Sequence, residues 1–250
     1  MARTFLLGGH DLEMVEIRKM LNLHGERVID YCLNWSNARL SAYSDVIDAQ
    51  PDVEYYGIEL QEDRPLPAHY IRIDHHNDYN DRPATILQVA TLLHIAPDRH
   101  MQLVAANDSG YIPALKSFGA STDEILKIRL MDRAAQGVTA EDERLAEQSI
   151  KHNLTTLKGI QIVKSLTPRF SPICDRLFPY QRLLIYNDSE WTYYGDGKEA
   201  LTKELATDIT RKRIYHGGGS QGYIGAAKGV FSSQEIHDFV TLIMQRYEHI

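Results

Sequence analysis

The chain has 250 residues, 43% of them hydrophobic, with 27 Lys and Arg against 34 Asp and Glu and a formal net charge of −7. That length suits one large domain or two small ones at about 100–200 residues each, enough to bury a core without covalent staples. Two cysteines exclude a disulfide framework, the acidic balance argues against coating duplex DNA by charge alone, and no apolar run approaches the roughly 18 residues of a membrane span.

The opening residues, MARTFLLGGHD, hold no long apolar stretch, which together with the cysteine usage predicts a reduced, cytoplasmic protein. Arg3–Leu7 reads as a short strand ending at Gly8-Gly9. The stretch from Asp11 to His24 places Met14, Ile17 and Leu21 at helical spacing. Arg27–Ile29 is a brief strand, Trp35–Asp48 a helix, and Glu54–Leu60 and His69–Ile73 are strands. Ala84–His94 reads as a buried helix, and Met101–Ala106 as a strand or the end of a helix. Strands alternating with helices predict a parallel sheet covered on both faces. Residues 121–153 read as two charged helices broken at Gly137, opened by a capping box at Ser121/Glu124 and a weaker one at Thr139/Asp142. From about Gly159 the strands are expected at Ile160–Ser165, Leu183–Asn187, Trp191–Tyr194 and Tyr223–Ala227, with a hairpin turn at Asn187-Asp188-Ser189. Helices are expected at Arg169–Leu177, Lys198–Thr207 and Ser233–Tyr247. The expected architecture is α/β throughout: a parallel-sheet N-terminal lobe over 1–120, a helical connector over 121–158, and a smaller mixed-sheet C-terminal lobe over 159–250.

The chemistry is signalled by where the acids fall. Ligands of open α/β sheets bind beyond the carboxyl ends of the strands. Apolar runs here are followed by Asp11, Asp30, Glu59, Asp74 and Asp108. One such acid is an ordinary cap or turn former, but several on one rim repel each other unless a cation neutralises them. At the centre stands Asp74-His75-His76, directly after a buried-looking strand. Imidazole suits zinc and manganese, carboxylate magnesium and manganese, so metal binding is favoured over a merely solvated pair of histidines. Ser109 lacks a nucleophile elbow, Gly8-Gly9 lacks the spacing of a dinucleotide fingerprint, and Cys32 and Cys174 read as ordinary buried thiols.

Three motifs in order carry a family resemblance: IDHH after a strand, NDSG some thirty residues on, and the glycine-rich GGGSQGYIGAAKG of Gly217–Gly229. Together they resemble the DHH phosphoesterase superfamily with its DHH-associated C-terminal domain. That superfamily includes RecJ-like nucleases, oligoribonucleases, cyclic-dinucleotide phosphodiesterases and family II pyrophosphatases. The resemblance implies a divalent metal, manganese or magnesium, in one or two copies. It implies ligands at Asp11, Glu13, Glu59, His75 and Asp108, with His10 a further candidate. In the family's first motif, His-x-x-x-Asp-x-Asp, the histidine stands four residues before the first Asp. Here His10 is adjacent to Asp11, and Glu13 replaces the second Asp. Glu59 replaces the bridging Asp of the second motif. Asp74 is expected to orient an imidazole and His76 to meet the substrate phosphate or the leaving oxygen, so both count as catalytic. Arg211, Arg213, Gly217, Gly218, Gly219 and Ser220 are expected to bind substrate, Ser220 standing where the family has His. A basic run is also often just a solvated face, and a glycine cluster a flexible turn.

The function implied is metal-assisted hydrolysis of a small nucleotide, a short single-stranded oligonucleotide or a cyclic dinucleotide. No membrane partner is expected, and self-association is left open. The alternative is a non-catalytic DHH-like nucleotide-binding or sensing module, favoured by the altered first and second motifs.

Overall fold

A computed structural model describes residues 3–218, 222–226 and 228–246. The chain divides into two compact units, Met1–Gly137 and Val138–Ile250.

The first unit runs β1 (Arg3–Leu7), α1 (Leu12–Leu23), β2 (Arg27–Ile29), α2 (Ser44–Ala49), β3 (Glu54–Ile58), β4 (Tyr70–Ile73), α3 (Thr85–Leu92), α4 (Arg99–Ser117) and α5 (Thr122–Ala135). Its four strands form a wholly parallel sheet in the order β2-β1-β3-β4. Successive strand side chains alternate faces. Phe5, Leu7, Tyr56, Ile58 and Ile73 accordingly pack under α1, α3, α4 and α5, while Leu6 and Tyr55 pack with Leu40, Tyr43 and Ile47 on the other face. Burial on both faces explains why β1 reads as an unbroken apolar run. Leu7 pairs with Ile58 and Ile58 with Ile73, so three strands end level. Gly8, Glu59 and Asp74 therefore leave the sheet along one rim.

Two expectations are corrected. Met101–Ala106 is neither a strand nor a helix end: it lies inside α4, capped by the Asp98 side chain, which accepts from the Met101 amide at 2.8 Å. A six-residue apolar run fits a buried strand and a buried helix equally, and here the cap decides. Asp108 therefore reaches the site from a helix. The Trp35–Asp48 helix shrinks to a 3-10 turn at Leu40–Tyr43 followed by α2: residues 35–37 form a turn closed by the Asn37 amide on the Asn34 carbonyl, and Arg39 is extended and bridges to Gln61.

The second unit runs α6 (Ala140–Asn153), β5 (Leu154–Leu157), β6 (Ile160–Lys164), α7 (Ser171–Leu177), β7 (Arg182–Tyr186), β8 (Trp191–Gly195), α8 (Lys198–Glu204), α9 (Ala206–Thr210), β9 (Ile214–Gly217), β10 (Tyr223–Ala226) and α10 (Ser233–Arg246). Its mixed sheet has the order β5-β6-β7-β8-β10-β9, with β6 and β7 parallel and the other neighbours antiparallel. The β7–β8 hairpin turns where Asn187 Oδ1 accepts from the Ser189 and Glu190 amides. Both capping boxes form, at Ser121/Glu124 and Thr139/Asp142. The two helices they open pack on different units: Ile128 of α5 joins the first core, Ala146 of α6 the second. Cys174 is buried, but Cys32 is exposed in the loop after β2, its amide held by Asp30 Oδ1. Among the described residues no helix is long and apolar enough to cross a membrane.

Candidate metal centre

The sheet rim, the start of α1 and the middle of α4 bring acids and imidazoles to one place. Glu59, His75, His76 and Asp108 each offer a ligand atom, all within 4.8 Å of one another. His75 Nε2 stands 2.6 Å from Asp108 Oδ2, 3.5 Å from Glu59 Oε1 and 3.7 Å from Glu13 Oε2. Gly8 permits the approach of β1 to β3, since a Cβ there would lie 2.4 Å from the Glu59 carbonyl oxygen. Glu59 and Asn77, next to His76, both hold a positive φ, 51° and 52°. Such backbone is sparsely populated by residues other than glycine and collects at functional sites.

Glu13 and Glu59 are each fixed through one oxygen and leave the other without a hydrogen bond. Glu13 Oε1 accepts from the Ile86 amide at 2.9 Å, capping the otherwise open N-terminus of α3. Glu59 Oε1 accepts from the Thr85 hydroxyl at 2.5 Å. Glu13 Oε2, Glu59 Oε2, His75 Nε2 and Asp108 Oδ2 are buried and make no hydrogen bond of acceptable geometry. An unsatisfied buried polar atom costs about 1–3 kcal/mol, more when charged, and four at one point call for a partner. A divalent cation answers all four, and ligands across one ion stand about 4 Å apart. The donor set therefore fits a metal ion.

The electrostatics agree. Burial, helped by the charges of Asp108 and Glu59, pushes the Asp11 carboxyl up to about 7 against the Met14 amide that it caps. Burial, then the charges of Asp108 and Glu59, raise Glu13 well above the usual carboxylate range, and burial and Asp108 raise Glu59. This clustered negative charge attracts a cation. His76 runs the other way: its hydrogen bond to Asp74 raises it to about 9 despite partial burial. Burial opposes it, yet hydrogen bonds from His76 hold Asp74 below its ordinary value.

No family model and no curated protein matches this sequence. Solved structures do. A pGpG-specific phosphodiesterase, PggH from Vibrio cholerae, is similar over 100% of this chain and 99% of its own, with a TM-score of 0.55 and 10% identity. The DHH domain of a protein assigned to a family of ribosomal proteins is similar over 97% of this chain and 87% of its own, with a TM-score of 0.51 and 13% identity. This chain has the DHH fold.

Within the DHH fold the sequence motifs fall as follows. The triplet Asp74-His75-His76 follows β4, with His75 buried and His76 half-exposed. Glu13 and Glu59 each leave a buried oxygen without a hydrogen bond; Glu59 belongs to the group of four, and Glu13 lies beside it with Oε2 3.7 Å from His75 Nε2. Asp11 lies beside the cluster as the N-cap of α1, one oxygen taken by Met14. His10 is outside the group of ligand atoms. In the second unit, Arg211 is exposed beyond α9, whereas Arg213 pairs with Asp208 at 3.5 Å and Glu235 at 3.8 Å and lies over Phe231. Gly217 ends β9, Gly218 has a φ of 70°, and Gly219 and Ser220 lie outside the described residues.

Sequence reasoning missed Thr85 and the buried Arg129. The Arg129 guanidinium donates to Asn107 and Asp132, each at 2.8 Å, and Asp132 Oδ1 accepts from the Leu12 amide at 3.3 Å. The network braces the neighbours of Asp11 and Asp108. An Arg and an Asp three apart on one helix is a signal, but it reads as a surface pair.

Proposed function

We propose that this protein is a divalent-metal-dependent phosphoesterase that hydrolyses the phosphodiester of a small nucleotide, short oligonucleotide or cyclic dinucleotide. The observation that carries the reading is the group Glu59, His75, His76 and Asp108, with ligand atoms within 4.8 Å of one another on a DHH fold and the buried Glu13 Oε2 3.7 Å from His75 Nε2. Glu13, Glu59, His75 and Asp108 would hold the ion, with Asp11 beside them, and manganese or magnesium suits so carboxylate-rich a set. A bound divalent ion supplies Lewis-acid polarisation of a phosphoryl oxygen and acidifies water.

The chain's own residues supply the rest. Asp74 Oδ1 lies 3.3 Å from His76 Nδ1 and fixes the ring. Nε2 is then presented to substrate, and the bond to Asp74 favours the protonated imidazole. As water adds to phosphorus and the bond to the leaving oxygen breaks, His76 gives that oxygen a proton. Within the second unit, Arg211, Gly217 and Gly218 suit a phosphate. Arg211 has no carboxylate partner among the described residues, and glycine backbone lets amides approach an anion.

The similarity to a pGpG-specific phosphodiesterase supports a linear dinucleotide as the first substrate to try. Purified protein incubated with Mn²⁺ and pGpG is expected to release mononucleotide, with the release abolished by chelation and in His75→Ala. Nucleotide binding without product, across linear and cyclic dinucleotides, would overturn the enzyme reading in favour of a binding module.

A further inference from the structure

A cavity of about 570 Å³ opens beside the cluster, in the size range of small-molecule sites. Its walls include Trp35, Gln61, Glu62, Arg72, Asp78 and Tyr79. Trp35 is 48% exposed. Its indole is nonetheless seated, packing directly on the Gly9 backbone, where any Cβ would lie 2.3 Å from the ring. Its centroid is 5.9 Å from that of His76. A large apolar ring has thus been left facing a cavity at the mouth of the site.

Charge says what that cavity takes. Glu59, Glu62, Asp74 and Asp78 line it against Arg72 and His76, and Arg72 is already paired with Glu62 and bonded to the Tyr79 hydroxyl at 2.6 Å. A phosphate is repelled there. A second cavity, about 720 Å³, also reaches His76 and contains Arg82, which stacks 4.2 Å above Tyr79 and has no carboxylate partner among the described residues. Phosphate belongs on the Arg82 side of His76, and the uncharged end of a substrate on the Trp35 side. Gln61 and Asp78 make no side-chain hydrogen bond among the described residues, so an amide and a carboxylate are free to meet the donors and acceptors of a base edge.

We propose that Trp35 is the stacking platform for a nucleotide base, with Gln61 and Asp78 reading its edge. The inference rests on the phosphoesterase reading for the position of the phosphate. Its test reads binding and needs no turnover. GMP and ribose 5-phosphate are titrated into the full chain in Mg²⁺ by calorimetry and by tryptophan fluorescence. Trp191 is 1% exposed and stacked on Phe239, so a quench reports Trp35. Base–aromatic stacking predicts that GMP binds at least about fivefold more tightly than ribose 5-phosphate. Trp35→Ala erases the difference, and Trp35→Phe keeps most of it while losing the quench. If Trp35→Ala fails to fold, Trp35→Phe and the wild-type comparison decide. Equal binding of the two ligands by the wild type, binding of neither, or undiminished GMP binding by Trp35→Ala would each overturn the proposal. Base-dependent binding in a protein that cleaves no dinucleotide would remove the phosphoesterase reading and leave the platform standing.

Discussion

The Thr85 hydroxyl donates to Glu59 Oε1 at 2.5 Å, joining the first residue of α3 to the residue that follows β3. Both are buried. The bond fixes the carboxylate at Oε1, the oxygen that also stands 3.5 Å from His75 Nε2, and leaves Oε2 buried without a hydrogen bond. Thr85→Val keeps the shape and removes the donor. Partners that orient a ligand are each worth about 10–100-fold in metal affinity, and that loss is expected in a Mn²⁺ titration. Stability should fall by about 1–3 kcal/mol in urea denaturation, from the acceptor left unsatisfied.

His75→Ala and Asp108→Asn each remove a donor atom of the cluster. Both are expected to weaken Mn²⁺ binding by more than about 100-fold, beyond the cost of losing an orienting partner. The metal-free variants should melt no lower than the metal-free wild type, since each removes buried atoms that lacked a partner. Mn²⁺ should raise the melting temperature of the wild type only, a stabilisation that grows with the concentration of free ion.

Arg129→Ala removes a guanidinium from the buried Asp132 carboxylate, leaving it the Gln136 amide and the Leu12 N–H. Breaking a buried pair by removing one partner costs about 3–5 kcal/mol, readable as a lower urea midpoint. Metal affinity should fall with it, because Asp132 also holds the Leu12 amide between Asp11 and Glu13. A variant with unchanged stability would show that the network does not brace the site.

Glu124 tests acid stability away from the site. Hydrogen bonds from Arg99, then from Ser121, hold its carboxyl down at about 2, against an ordinary 4.5. A depressed folded value means stability present above the unfolded value and lost as pH falls through the folded one. Glu124→Gln should therefore flatten the loss of stability between pH 4.5 and about 2 while leaving the slope above pH 5 unchanged. Acid titration of the melting temperature checks it.

The legible parts of the fold were those with a local cause. β1 announced itself as a continuous apolar run, the helices after Ser121 and Thr139 by their capping boxes, and the hairpin by Asn187. The triplet at 74–76 was legible because three chemistry-bearing residues followed a strand. β5 and β9, only four residues each, gain their identity by pairing with neighbours and carry little signal alone. Glu13 stood out only through its place in the family's first motif; its position in the fold depends on the Ile86 amide, 73 residues away. Trp35 and Thr85 are significant for what folding brings beside them.

The break in α4 adds something no single side chain provides. Non-helical backbone at Gly110 and Tyr111 splits the helix, so its first segment ends one residue past Asp108. A helix terminus of that polarity exposes carbonyl oxygens equivalent to roughly half a negative charge. The interruption thus lends main-chain electron density to the neighbourhood where the proposed cation would sit. A substitution that straightened α4 would withdraw that density without touching any donor atom.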